Sequence, residues 1–180
     1  MYSGGNPIQT MHLGDGTQII YDSSKGNSPV VEKQKDGSYS IFNPGSNISI
    51  NGSANGSNIN IIEGEGVTFN GSGKGNDNIN VIRSKDTKIN TNDGNDNVYI
   101  FGGKGNHVNT EKSNANIKNC SFHSDIQLGE GFSTVYSRGN HNIINDITGK
   151  NHINDSGPRV NEGCPGFETS HLPGHIRESF

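Results

Sequence analysis

The stretch GSGKGNDNINVIRS, Gly71 to Ser84, places a glycine-rich turn directly before an alternating apolar pair, Ile79 and Val81. Glycine and asparagine favour tight turns, and apolar residues at every second position predict a β-strand with one buried face. A single turn and strand of this kind bury too little apolar surface to be stable alone. The stretch therefore raises the question of whether the pattern recurs elsewhere in the chain.

Apolar β-branched residues do recur at a nearly constant interval. One series has steps of 20, 19, 19, 18 and 18 residues: Ile59, Ile79, Val98, Ile117, Val135 and Ile153. A second series has steps of 19, 22, 19, 18 and 17 residues: Ile48, Val67, Ile89, Val108, Ile126 and Ile143. A repeat with two short strands and two turns accounts for both series, because each coil buries its apolar residues only against neighbouring coils. We therefore predict an all-β fold, a two-sheet parallel β-solenoid similar to a β-roll, with about 18–20 residues per coil.

The composition agrees with a turn-rich repeat protein. The 180 residues include 27 asparagines and 26 glycines, whereas only 27% are hydrophobic, which is too few for the thick core of a conventional enzyme. The net charge of −4 without a dense Lys/Arg run argues against a nucleic-acid partner. No apolar run approaches membrane-spanning length, so we expect no membrane span.

The periodicity divides the chain into three predicted regions. Residues 1–42, which contain TQIIYD and SYSIF, are expected to form an N-terminal cap region. Residues 43–156 carry the β-solenoid repeats. The repeat stops after Asp155, and the Pro-Gly steps beyond it predict an irregular C-terminal tail over 157–180.

Two of the turns resemble a known calcium-binding repeat. The segment Ser72 to Asn80 reads S-G-K-G-N-D-N-I-N and resembles the nonapeptide G-G-x-G-x-D-x-U-x of RTX proteins, the haemolysin-type β-roll family of secreted bacterial toxins and proteases. One coil later, Gly94 and Asp96 occupy the glycine and aspartate positions of the same pattern. The resemblance covers about two repeats and is weak over the others.

The resemblance implies a Ca²⁺ ion between the turns of adjacent coils, held by carboxylates and backbone carbonyls. Calcium takes about 6 to 8 oxygen ligands, and glycine lets a turn direct its carbonyls inward. The candidate metal-binding residues are Asp77, Asp96, Gly75, Gly94 and Asp93. Equivalent positions on the other coils lack a carboxylate: Ser57, Ala115, Ser133 and Asn151. The sequence therefore predicts one calcium site, with the alternative that both aspartates accept hydrogen bonds from turn amides.

Asparagines also recur in register, one coil apart. The set is Asn58, Asn78, Asn97 and Asn116, and its line continues as Thr134 and His152. Stacked side-chain amides donate to and accept from one another, so we predict an asparagine ladder along the solenoid axis. The alternative is a flat polar face that binds ice or a polysaccharide.

The two cysteines, Cys120 and Cys164, are too few for a disulfide framework, and the sequence leaves their redox state open. We expect two unlinked thiols. Cys120 and His123 are candidates for a catalytic thiol–imidazole dyad, but the position of the cysteine in NIKNCSF predicts a small core residue.

Two further pairs are candidate sites on spacing alone. His171 and His175 have the spacing of a helical metal pair, but the Pro-Gly step between them predicts loop histidines. Glu63 and Glu65 lie in a glycine-rich turn and are expected to be solvated turn residues rather than a glycosidase pair. No catalytic residue is therefore assigned.

The sequence favours a non-catalytic bacterial β-solenoid module, secreted or surface-associated, that acts as a structural or recognition surface. Its expected partner is a polysaccharide or a host protein, and its expected route of export uses no classical signal peptide. One alternative is a secreted effector or a carbohydrate-active β-helix enzyme, for which Arg83, Lys85 and Lys88 are the only clustered cations on an outward face. The other is a trimeric tip or fibre element of a phage or secretion machine.

Overall fold

The computed structural model describes residues 7–26, 28–42 and 44–156. About 50% of the chain is β-strand and 1% is helix, and the strands stack into a β-solenoid of about six turns. Two sheets, each with eight strands among the described residues, face each other across a narrow core. The predicted fold class is confirmed.

The strands, numbered in chain order, alternate between the two sheets along most of the chain. Sheet 1 contains β1 (Ile8–His12), β2 (Gln18–Asp22), β5 (Ser49–Asn51), β7 (Thr68–Asn70), β9 (Lys88–Asn90), β11 (His107–Asn109), β13 (Asp125–Leu128) and β15 (Ile143–Asp146). Sheet 2 contains β3 (Val30–Lys33), β4 (Tyr39–Phe42), β6 (Asn58–Ile62), β8 (Asn78–Ile82), β10 (Asn97–Lys104), β12 (Asn116–Phe122), β14 (Thr134–Ser137) and β16 (His152–Asp155). A 3₁₀ turn, Ser23–Lys25, follows β2.

Antiparallel pairs close the N-terminal end of both sheets. In sheet 1, β1 pairs with β2 and β2 pairs with β5, both antiparallel. In sheet 2, β3 pairs antiparallel with β4, whereas β4 already pairs parallel with β6. The parallel stack of sheet 2 therefore begins at Tyr39, inside the region assigned to the cap from the sequence. These antiparallel strands pair with the N-terminal ends of the parallel stacks, so β1 and β3 become the edge strands of the two sheets.

The strand register confirms one predicted series and corrects the other. In sheet 2, Ile79 pairs with Ile59 and with Val98, as the spacing predicts. In sheet 1, the aligned inward column is Ile50, Phe69, Ile89, Val108, Ile126 and Ile144. The assignment of Ile48, Val67 and Ile143 to this column was therefore wrong.

The register error has a physical cause. Each coil offers two inward positions, and Ile48 and Val67 occupy the other one, where they are also buried. The irregular step of 22 residues marks this change of position, and the aromatic Phe69 lies outside a series built on Ile and Val alone. Ile143 points outward and is 58% exposed, because its neighbour Ile144 pairs with Ile126.

The core is one stack of apolar side chains between the sheets. Typically two inward residues per strand fill it in sheet 2, as with Ile79 and Val81, which are fully buried. Polar side chains line the two narrow edges where the chain turns, and many of them are also buried. Because the sheets themselves are regular, the distinctive chemistry of the molecule lies at these edges and on the outer faces.

Candidate functional site

The predicted aspartate pair lies at one edge of the solenoid. Asp77 and Asp96 each directly precede a strand of sheet 2, and the pairing of Asn78 with Asn97 places them one coil apart. Both residues are 1% exposed. The structure thus brings the two carboxylates into the same column, as expected, but turns them toward the interior of the edge.

These carboxylates accept hydrogen bonds from the backbone of the preceding coil. Asp77 Oδ1 accepts from the Ser57 N–H at 2.7 Å, and Asp96 Oδ1 accepts from the Asp77 N–H at 2.7 Å. The Ser113 hydroxyl donates to Asp96 Oδ2 at 2.5 Å. Farther along the column, Ser133 Oγ accepts from the Ala115 N–H. Each side chain therefore satisfies a buried amide that the strand ladder leaves unpaired.

The carboxylates, as placed, do not fit a calcium ion. Three of their four oxygens already accept hydrogen bonds, and the fourth, Asp77 Oδ2, is buried without a hydrogen-bond partner in the described part of the chain. Asp93 Oδ1 accepts from the Gly94 N–H at 2.9 Å. Within residues 7–156, apart from 27 and 43, no group of three or more His, Cys, Asp or Glu side chains is placed to hold a metal. Calcium binding thus stays a prediction that requires these side chains to rearrange.

A calcium titration tests that prediction directly. If Asp77 and Asp96 hold the ion, millimolar Ca²⁺ raises the melting temperature above its value in EDTA, and the rise grows with the logarithm of the calcium concentration. The double change Asp77→Asn with Asp96→Asn should abolish the response while the far-ultraviolet circular dichroism stays the same. A wild-type melting temperature that is identical in EDTA and in calcium contradicts the prediction.

Gly75 and Gly94 stack at the same edge because the turns approach closely. A Cβ on Gly75 would lie 2.1 Å from the backbone nitrogen of Gly56. Gly94 has a φ of +123°, and a Cβ there would lie 2.4 Å from the Gly75 carbonyl oxygen. Real Cβ atoms do not approach backbone atoms so closely, so these positions accept only glycine. Their observed role is to let one turn pack on the next.

We expect Gly75→Ala to lower the free energy of unfolding by about 2 kcal/mol, because the methyl group meets backbone atoms that have no rotamer to change. The matched control is Gly73→Ala in the same turn. Gly73 has a φ of +70°, and the nearest atom to its Cβ would be 3.6 Å away, so that variant tests backbone strain alone. Urea unfolding compares the two. A smaller loss for Gly75→Ala than for Gly73→Ala would contradict the close packing of the turns.

The predicted carboxylate pair Glu63 and Glu65 lies at the opposite edge. Arg83 Nη2 lies 2.7 Å from Glu63 Oε1, and Lys85 Nζ lies 3.5 Å from Glu65 Oε2. Each glutamate is thus paired with a cation from the next coil; the Lys85–Glu65 pair is exposed, whereas Arg83 is half-buried. Arg83 and Lys85, two of the three clustered cations considered for an enzyme groove, are therefore engaged in ion pairs.

Side-chain amides form ladders on the outer faces of both sheets. On sheet 2, Asn97 Nδ2 donates to Asn78 Oδ1 at 2.8 Å, and Asn116 Nδ2 donates to Asn97 Oδ1 at 3.4 Å. The predicted ladder is therefore present over these residues. Sheet 1 carries a second ladder that was not predicted: Asn51, Asn70, Asn90 and, in register, Asn109. Its spacing was visible in the sequence but was hidden by the misplaced register of sheet 1.

Cys120 differs from its predicted role. It lies on the outer face of sheet 2, between the inward residues Asn119 and Ser121, so the prediction of a core cysteine was wrong. The expectation of unlinked thiols is also corrected, because Cys120 forms a disulfide. The His123 ring stacks on the His141 ring, with centroids 4.9 Å apart, instead of serving a thiol. Alternation along the strand was the signal that would have placed Cys120 outward.

A groove of about 280 Å³ opens beside the turns that follow β11 and β13. The polar residues that line it are Asn109, Glu111, Lys112, Gln127 and Glu130. Ile147, which is 77% exposed, supplies an apolar wall. Most of the surface that lines the groove is apolar, and a few polar side chains reach it, a combination that is typical of a small ligand site.

No protein-family model, curated protein or solved structure matches this chain significantly. Its fold and the geometry of its surfaces are therefore the basis for inferring its function. None of the helical segments in the described residues has the length and apolar character to cross a membrane. Cys164, His171 and His175 lie outside the described residues.

Proposed function

We propose that this protein is a non-catalytic β-solenoid module, secreted or surface-associated in a bacterium, whose sheet 1 side recognises a polysaccharide. The observation that carries the proposal is the groove beside β11 and β13. Side-chain amides donate to and accept from sugar hydroxyls, carboxylates accept from them, and a volume of about 280 Å³ suits a short segment of a sugar chain.

The amide ladders support a rigid scaffold rather than a reactive surface. Asn70, for example, donates to Asn51 and accepts from Asn90, so its amide is engaged on both sides along the axis. Fixed side chains lose little conformational entropy on binding, which favours recognition by a preformed face. The groove lies where this ladder changes from Asn109 to Gln127, whose Nε2 donates to Asp125 Oδ1 at 2.6 Å.

The disulfide at Cys120 supports a location outside the reducing cytosol. Structural disulfides persist in extracellular and periplasmic environments, whereas cytosolic reductants keep most thiols reduced. This observation supports the proposed secreted or surface-associated location.

Binding to immobilised polysaccharides of neutral, amino-sugar and uronic-acid type tests the proposed function. We expect the wild-type chain to bind at least one of these polymers. The change Gln127→Ala with Glu130→Ala should weaken that binding at least tenfold. The matched control is Lys88→Ala, which lies on the exposed face of sheet 1 outside the groove lining. The proposal is overturned if the wild-type chain binds none of the polymers, or if Lys88→Ala weakens binding as much as the double change does.

The alternative of a trimeric tip or fibre is tested by light scattering on the eluted protein. A mass near the 19.2 kDa of one chain supports the solenoid as an independent module. A mass three times larger would favour the fibre, in which subunit contacts complete the thin core.

A further inference from the structure

A further row of side chains runs along the edge that contains Asp77 and Asp96. Each member stands two residues before a strand of sheet 2, so the strand register aligns the row one coil apart: Asn76, Asn95, Asn114, Phe132 and Lys150. All five residues are exposed. We call the first four the edge row.

Hydrogen bonds join neighbours in the edge row. The Asn95 N–H donates to Asn76 Oδ1 at 3.0 Å, and Asn114 Nδ2 donates to Asn95 Oδ1 at 3.2 Å. The Phe132 N–H donates to Asn114 Oδ1 at 2.9 Å. Among the residues that the structure describes, the Nδ2 groups of Asn76 and Asn95 donate to no acceptor. Because the oxygen of each of these amides is held by the next coil, its N–H groups face solvent in a fixed orientation.

Phe132 ends the polar part of the edge row with an aromatic ring. The ring is 68% exposed, although a buried aromatic side chain would add to stability. Lys150 Nζ lies over the ring, 5.8 Å from its centroid, and steadies it from the next coil. The rest of the ring is open, so a steadied aromatic surface stands directly beside fixed amide donors.

The edge row and the groove share one turn. Glu130 lines the groove, and Phe132 is two residues farther along the chain, so their Cα atoms lie within about 7 Å of each other. Both side chains are exposed. A short oligosaccharide spans this distance, and a sugar in the groove can therefore continue onto the edge row.

We propose that the edge row is a second sugar-binding subsite, in which Phe132 stacks on a pyranose ring and the asparagine amides donate to its hydroxyl oxygens. One face of a pyranose carries C–H groups, which are attracted to the negative face of an aromatic ring, while its hydroxyls take hydrogen bonds at the rim. The inference rests on the proposed function, because the same sugar chain occupies the groove and the edge row.

Calorimetry with sugars of two lengths tests the second subsite. The probes are linear hexasaccharides of glucose, glucosamine and galacturonic acid, with the matching disaccharides. We expect a hexasaccharide to bind the wild-type chain at least tenfold more tightly than its disaccharide, since only the longer sugar reaches both subsites. Phe132→Ala should remove most of this advantage, whereas Phe132→Tyr should keep it. Phe122→Ala, an exposed position on the opposite edge, is the matched control and should leave it unchanged.

The outcomes separate this subsite from the groove. If Phe132→Ala binds the hexasaccharide as tightly as the wild type does, while Gln127→Ala with Glu130→Ala weakens binding, the second subsite is overturned and the proposed function stands. A wild-type chain that binds none of the sugars overturns both. A Phe132→Tyr chain that binds as weakly as Phe132→Ala also overturns the subsite, because stacking requires only an aromatic ring.

A fluorescent reporter tests the contact itself, because the sequence contains no tryptophan. Phe132→Trp places a single indole in the edge row of the full-length chain. We expect its acrylamide quenching constant to fall at least twofold, with a blue shift, when the hexasaccharide saturates the protein. Phe122→Trp is the matched control and should not respond. Equal quenching of the Phe132→Trp reporter with and without the bound hexasaccharide overturns the proposal.

Discussion

Replacing Val98 by aspartate is expected to unfold several coils at once. Val98 is fully buried in the main core, and it pairs with Ile79 on one side and Ile117 on the other. An aspartate there has no partner for its charge, so the loss is on the order of 4 kcal/mol, equivalent to about 12 °C in melting temperature. Because each coil is stabilised by its neighbours, the damage should spread to the adjacent coils.

Hydrogen exchange locates the effect along the chain. Protection should fall in β8, β10 and β12 together, whereas the N-terminal hairpins should keep more of theirs. Tyr99→Asp is the matched control, because Tyr99 is the next residue of the same strand and lies on the outer face. A Val98→Asp variant that melts within a degree or two of this control would mean that Val98 faces solvent.

The stability of the protein should fall as the pH rises from about 4 to about 7. Burial raises the pKa of Asp77 from 3.8 to about 7, the Ser57 N–H opposes that shift, and the charge of Asp96 adds to it. The folded chain thus binds a proton that the unfolded chain releases in this window, and the folded state loses stability as that proton dissociates. The loss is on the order of 3 kcal/mol between the two ends of the window.

The variant Asp77→Asn isolates this contribution. Its side-chain oxygen can still accept from Ser57, but it does not titrate, so its stability should change less across the same window. Urea unfolding of both proteins at pH 4.5 and pH 7.5 gives the difference, and Glu32→Gln, an exposed change in the cap, serves as the control. An identical pH dependence in the wild type and in Asp77→Asn would refute a neutral Asp77 carboxyl below pH 7.

The repeat architecture was predictable because its signal is physical and local. Alternating Asn and Ile in strands such as β8 can bury only one face, and the constant spacing from Ile59 to Ile79 requires coils of equal length. The same spacing correctly placed Asp77 one coil from Asp96. It also placed the ladder asparagines in register, because all of these positions follow from the coil length alone.

The details that failed depend on direction rather than on spacing. Spacing did not show that the Asp77 and Asp96 carboxylates turn inward to amides, because a turn of the same sequence can direct a carboxylate either way. The spacing also did not show whether Ile48 or Ile50 belongs to the aligned inward column of sheet 1, since both are inward and apolar. The groove escaped prediction because it is built from two turns that meet only in the folded chain.

The column of buried acceptors makes each coil dependent on its successor. The Ser57 amide is satisfied by Asp77 of the next coil, and the Asp77 amide by Asp96 of the one after it. Removing a coil therefore leaves a buried N–H of the coil before it without its acceptor, which costs about 1–3 kcal/mol of stability. A coil moved into another solenoid therefore keeps its stability only if the acceptor that the next coil supplies to its buried amide is moved with it. The unit that can be exchanged is thus the junction between two coils.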